Sequence, residues 1–117
     1  MPPEESLRAS TRLAADPDQH APHFIDLEIA AGIRNRLARR SLGQAAADAA
    51  IAALAGLPIH RYPHVPLLPR IWQLRHNLTP YDAAFVALAE VLGSPLLTAD
   101  ARLAGAPGLR CEVELLA

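Results

Sequence analysis

Lysine is absent from this 117-residue chain, and cysteine and tryptophan occur once each. A lone Cys111 excludes a disulfide framework and a thiolate metal cluster, and its place in an apolar terminal segment fits a buried, inert thiol. The basic residues are all arginine, 11 against 12 acids, for a formal charge of −1. Bulk charge therefore cannot capture nucleic acid, and any such role must come from a local site. No apolar run reaches the 18 or so residues a spanning helix needs, and MPPEESLRAS lacks the apolar core of a secretory leader, so no membrane association and a cytoplasmic location are expected. What is present, 51% apolar and 20% charged residues, describes one globular domain over residues 1–117.

The most informative stretch is NLTPYDAAFVALAEVLGSPLLTADARLAG, from Asn77 to Gly105. Thr79-Pro80-Tyr81-Asp82 reads as an N-cap, a proline at the first helical position and an acid in the first turn. Tyr81, Phe85, Leu88 and Leu92 recur at helical spacing and predict one apolar face, with Gly93 as the stop. Leu96-Leu97-Thr98 is too short and too apolar for anything but a buried parallel strand, and Asp100 opens the next helix at once. Asp82 and Asp100 are both explained by capping alone. Against that stands the tendency of open α/β sheets to place chemistry just beyond the carboxyl ends of their strands, where Asp100 falls.

Earlier segments repeat the alternation. A helix is predicted over Glu4 to Ala15, a short strand over His23 to Ile25, and a helix from Asp26 to about Arg40 with Ile25, Ile29, Ile33 and Leu37 on one face. Asp26 and Glu28, two apart, point to different faces; Glu28, beside Ile25 and Ile29, is the better candidate to meet the other acids. Arg36, Arg39 and Arg40 share a face at the end of this helix, either as solvated cations complementing its dipole or as phosphate contacts. Ser41 is expected to cap a helix from Leu42 to about Ala55. A strand over Leu57 to Tyr62, a helix from Val65-Pro66 through Leu78 and a half-exposed edge strand over Cys111 to Leu116 complete the pattern. His60 and His64 have a zinc-like spacing but no further ligands to complete a site. His76, close in sequence to Asp82, is a candidate substrate contact.

The blocks APHFIDLEIAAGIRNRL and LPRIWQLRHNLTPYDAAFVALAEVLGSPLLTADARLA resemble PIN-domain ribonucleases of the VapC toxin type, found in bacterial VapBC toxin-antitoxin pairs. The resemblance implies a three-layer α/β/α fold with a parallel sheet and a Mg²⁺- or Mn²⁺-dependent endoribonuclease hydrolysing RNA through a metal-activated water. It also implies a VapB-type antitoxin as partner; self-association as a homodimer is left open. By motif position Glu28, Asp82 and Asp100 match the family's second, third and fourth acids, and Thr98 its supporting hydroxyl. Hard oxygen ligands suit such cations, and three carboxylates sharing one pocket should hold one another's pKa values up.

One departure stands out. The family begins with a central strand ending in a metal-binding aspartate, lying between the strands near Phe24 and near Leu97, and no counterpart is read in this sequence. Three accounts follow: a longer reading frame, a non-cutting remnant that binds an antitoxin or itself, or a strand donated by a partner. The first is preferred, because the predicted first helix has no strand ahead of it. On that account the 117 residues alone should cleave RNA poorly or not at all.

Overall fold

The computed structural model describes residues 19–116; the helix expected over Glu4 to Ala15 lies outside them. The described elements are β1 (Gln19–Pro22), α1 (Ile25–Ala38), α2 (Gln44–Leu54), β2 (Ile59–Tyr62), a 3-10 turn (Val65–Leu67) running into α3 (Leu68–Gln73), α4 (Pro80–Leu92), β3 (Leu96–Thr98), α5 (Ala101–Ala104) and β4 (Val113–Leu115). β1 pairs in parallel with β2, and β3 in parallel with β4. Among the described residues these are two separate two-stranded sheets. The parallel α/β pattern is as expected, and the helix α4, packed against β1, β3 and α3, bridges the two halves.

α4 forms where its caps dictate. The Thr79 hydroxyl accepts the Asp82 amide at 3.2 Å, Pro80 occupies the first turn, and Gly93 ends the helix in the left-handed region at φ 63°. Glycine adopts that conformation without the steric cost a Cβ would bring. The predicted apolar face is only half right. Leu88 is buried, Phe85 and Leu92 pack at the margin of the core, and Tyr81 is 62% exposed. The interior is filled instead by Ala83, Ala84, Val86, Ala87 and Ala89. A helix covered on several sides buries more than one stripe, and small side chains allow the close approach. Leu67, Ile71, Leu74, Leu96 and Leu103 complete the core around it.

Several boundaries differ from the sequence reading. The first strand is Gln19–Pro22, overlapping the strand signal that the sequence carries from His20 to Ile25 but lying ahead of the His23 to Ile25 candidate: His23 and Phe24 already turn into α1, whose N-cap is Phe24. Ser41 does not cap α2, which starts after Gly43; its hydroxyl donates to the Arg36 carbonyl at 3.1 Å. The Val65 helix stops at Gln73 rather than continuing to Leu78. The edge strand shortens to Val113–Leu115, though the Leu96 amide to the Glu112 carbonyl and the Leu116 amide to the Thr98 carbonyl extend its pairing.

The end of α1 is closed by two backbone bonds, Arg40 amide to Leu37 carbonyl and Ser41 amide to Arg36 carbonyl. α4 closes identically, Gly93 to Glu90 and Ser94 to Ala89. The motif asks for a left-handed residue, and α1 supplies Arg40 at φ 59° where α4 supplies glycine.

Candidate functional site

Two of the predicted acids meet at the start of α1 and the start of α4. Phe24, the residue that begins α1, sets its ring edge-on against Tyr81 at 5.4 Å and against Phe85 at 5.5 Å. Such edge-to-face pairs are worth about 0.5–1.5 kcal/mol each beyond the area they bury. Glu28 lies one turn beyond Phe24 and its amide donates to the Phe24 carbonyl at 3.1 Å. Asp82 follows Tyr81 directly. The aromatic cluster thereby carries one acid from each helix toward the other.

The electrostatics record that meeting. The Glu28 carboxyl is held above the ordinary glutamate range, first by partial desolvation and then by the negative charge of Asp82. Among the described residues neither acid forms an ion pair with an arginine or histidine. Two hard oxygen donors that repel each other, with no cation beside them among the described residues, are chemically suited to a divalent metal ion.

Asp26, the alternative to Glu28 at the head of α1, is otherwise engaged. Arg61 donates to both of its carboxylate oxygens at 2.8 Å and also to the Leu54 carbonyl at the end of α2. This fork ties α1, α2 and β2 together. Neither Arg61 nor Phe24 was singled out in the sequence; the one available signal was the placement of Phe24 four residues before Glu28.

Asp100 stands differently. It lies just past β3, as expected, and its amide donates to the Thr98 hydroxyl at 3.0 Å. Its carboxylate accepts the Arg102 amide at 2.9 Å as the cap of α5, and that hydrogen bond leads the effects that hold its pKa below the usual aspartate range. The expectation of raised values among the site acids therefore describes Glu28 and fails for Asp100, because a backbone N–H favours the charged form. Among the described residues no three His, Cys, Asp or Glu side chains are close enough together to hold a metal ion.

The remaining candidates lie apart or at the margin. Arg36, Arg39 and Arg40 are exposed at the far end of α1, beginning eight residues beyond Glu28, or about 12 Å along a helix at 1.5 Å per residue. His76 is exposed in the turn between α3 and α4. His60 stacks on His20 at 4.8 Å across the paired strands, and His20 also meets the Tyr62 hydroxyl at 2.6 Å. Cys111 has its thiol pushed up chiefly by burial, which keeps it protonated and unreactive.

The family model described as PIN domain matches residues 3–109. The chain is similar to Ribonuclease VapC1 of Mycobacterium tuberculosis (strain ATCC 25618 / H37Rv), 49% identical over 98 residues that cover 83% of this chain and 74% of that protein. Ribonuclease VapC9 of the same strain is 43% identical over 97 residues, 83% of this chain and 76% of that protein. Ribonuclease VapC12, also of that strain, is 40% identical over 98 residues, 84% and 76% respectively.

Proposed function

Because the chain belongs to the PIN domain family, in its VapC-type ribonuclease branch, we propose that it is a divalent-metal-dependent endoribonuclease of a toxin-antitoxin pair, cutting RNA phosphodiester bonds at Glu28, Asp82 and Asp100. One observation carries the reading: Glu28 and Asp82, brought together at the starts of α1 and α4, have no cationic partner among the described residues, and the Glu28 carboxyl is held up first by desolvation and then by the charge of Asp82. Two like charges held together without a cation between them form a donor pair that a divalent ion would suit.

Glu28 and Asp82 would hold Mg²⁺ or Mn²⁺, with Asp100 as a third acid and Thr98 orienting its backbone. When bound, such a cation neutralises charge building on the phosphate and lowers the pKa of water, making a nucleophile available at neutral pH. The protein's own contribution is placement. Phe24, Tyr81 and Phe85 fix the helix starts that carry the acids. Because Glu28 holds its proton more tightly than an ordinary glutamate, cation binding competes with protons and weakens as pH falls.

A VapB-type antitoxin belongs to the same reading. Leu27 and Val65, 73% and 64% exposed, edge a groove with Phe24 and Pro63, an apolar surface of the kind a protein partner covers. Asp100 turned toward its own helix supports a second reading, a PIN-like shell that binds an antitoxin, or itself, without cutting.

The deciding experiment is cleavage of a mixed RNA pool by this chain and by any longer form its reading frame encodes, with Mg²⁺, Mn²⁺ or EDTA. Divalent-dependent cleavage is expected of a longer form, with little or none from the 117 residues alone. Divalent binding without cleavage by either form would favour the second reading, and neither binding nor cleavage would sink the first.

A further inference from the structure

Trp72, the chain's one tryptophan, is 67% exposed on α3. It contributes nothing to the core, which α3 reaches through the buried Ile71 on its other side. The Arg75 guanidinium lies 4.9 Å from the centre of the indole and donates to the Trp72 carbonyl at 2.9 Å, so the cation is tied to the same residue twice. Arg61 and Arg70 are neutralised by Asp26 and Glu90. Arg75 has no carboxylate partner among the described residues. The result is a preorganised surface, an accessible aromatic ring with an uncompensated positive charge fixed beside it.

Its location gives that surface a use. Residues 74–79 lead directly from α3 into α4, where Thr79 caps the helix and Asp82 sits in the first turn. α3 and α4 pack together, and so short a connection keeps the end of α3 beside the start of α4. Single-stranded nucleic acid binds through aromatic rings that accept a base face and cations that accept the adjacent phosphates. Duplex RNA offers no free base face.

We propose that Trp72 and Arg75 form a stacking platform for an unpaired base of the RNA substrate, the indole taking the base and Arg75 the flanking phosphate. This rests on the ribonuclease reading and adds to it the two residues that would hold an unpaired base outside the acids. The isolated tryptophan makes the test direct, since its fluorescence reports on the platform alone.

The full chain in EDTA, which leaves RNA uncut, is titrated with an eight-nucleotide single-stranded RNA, the same sequence as a duplex, and an abasic ribose-phosphate chain of equal length. Saturable quenching by the single strand and little by the other two is expected. Affinity, read separately from the anisotropy of labelled RNA, should fall about tenfold in Trp72→Ala, the scale of one lost base stack, and recover in Trp72→Phe. Arg75→Ala should bind more weakly and flatten the salt dependence by about one phosphate contact. RNA binding without a change in tryptophan emission, equal quenching by the abasic chain, or no RNA binding at all would each overturn the platform. So would emission that tracks protein concentration and ignores RNA, which would place the indole against a second copy of the chain. Quenching without divalent-dependent cleavage leaves the platform standing and removes the nuclease; cleavage without quenching does the reverse.

Discussion

Glu28 and Glu90 are the same residue type in opposite circumstances. Glu90 on α4 accepts hydrogen bonds from Arg70 at 2.7 and 3.0 Å and from the Arg110 amide at 2.8 Å, and its pKa is held down, first of all by Arg70. Arg70 also donates to the Gly108 carbonyl, so this carboxylate fastens the segment leading to β4 onto the helix pair. Glu28 is partly desolvated and has Asp82 for a neighbour, and its pKa moves the other way. One acid is satisfied by the fold and serves stability; the other is left in tension, and that tension separates a candidate reactive group from a strut.

The contrast is broken most severely at Asp82. Asp82→Asn should reduce divalent-dependent RNA cleavage by about a hundredfold or more in whichever form cleaves, on the scale of losing a charge-stabilising group. It should leave the melting temperature unchanged or raised, since repulsion on Glu28 is relieved. Cleavage at the wild-type rate would end the proposed role. Asp100→Asn should cost less, about tenfold in cleavage, with no change in melting, because asparagine caps a helix as well as aspartate does. Undiminished cleavage would restrict Asp100 to its cap.

Glu90→Gln sharpens the contrast from the other side. Leaving Arg70 with a neutral partner should lower stability by about 1–2 kcal/mol, less than for a fully buried pair because water still reaches both groups. Chemical denaturation measures this, and turnover per folded molecule should stay the same. A variant that kept its stability and lost turnover would reverse the roles assigned to the two glutamates.

The smallest effects lie in pH dependence, where the two acids have opposite signs. Glu90, with its folded pKa depressed, contributes stability that is present above the unfolded value of about 4.3 and is lost as pH falls through the folded value. Glu28, with its folded pKa raised, is fully tolerated below the unfolded value and costs stability as pH rises through the folded one. Melting curves across pH should therefore lose part of their decline above pH 4.3, an approximate reference value, in Glu28→Gln. They should lose part of their acid-side decline in Glu90→Gln. Added Mg²⁺ should stabilise the wild type more at neutral than at acid pH, and Glu28→Gln less at either. Identical profiles for the two variants would remove the distinction.

The helix caps are legible in the sequence, and so is the pairing of Glu28 with Asp82, through the face of Ile25 and Ile29 and the family resemblance; the Arg70–Glu90 strut is not. Thr79, Pro80 and Gly93 mark α4 by local chemistry, and the cap at Asp100 follows from its place after an apolar triplet; neither needs a tertiary contact to be read. The contact that brings Glu28 to Asp82, Phe24 packing against Tyr81 and Phe85, joins residues more than fifty positions apart, and no periodicity encodes it. Tyr81 was expected inside because it fits the helical spacing. At the very start of α4, however, the ring lies at the rim, edge-on to Phe24 and otherwise wet. The sequence pattern places the first strand a few residues late because the apolar Phe24 and Ile25 look strand-like, although they begin α1. No sequence pattern marks Arg61 or Arg70, for the same reason as Phe24: their partners are chosen by the fold.

The alanines of α4 have a mechanical consequence. Ala83 and Ala87 are fully buried and Ala84 nearly so, so the depth at which this helix sits is gauged by methyl groups, the thinnest shims a chiral side chain offers. Thickening one of them, as in Ala83→Val or Ala87→Leu, would lift the helix bodily and carry Asp82 out of alignment with Glu28 while leaving both carboxylates intact. Tolerances at the start of α4 are thus set one to five residues along the helix, in the blandest part of the sequence.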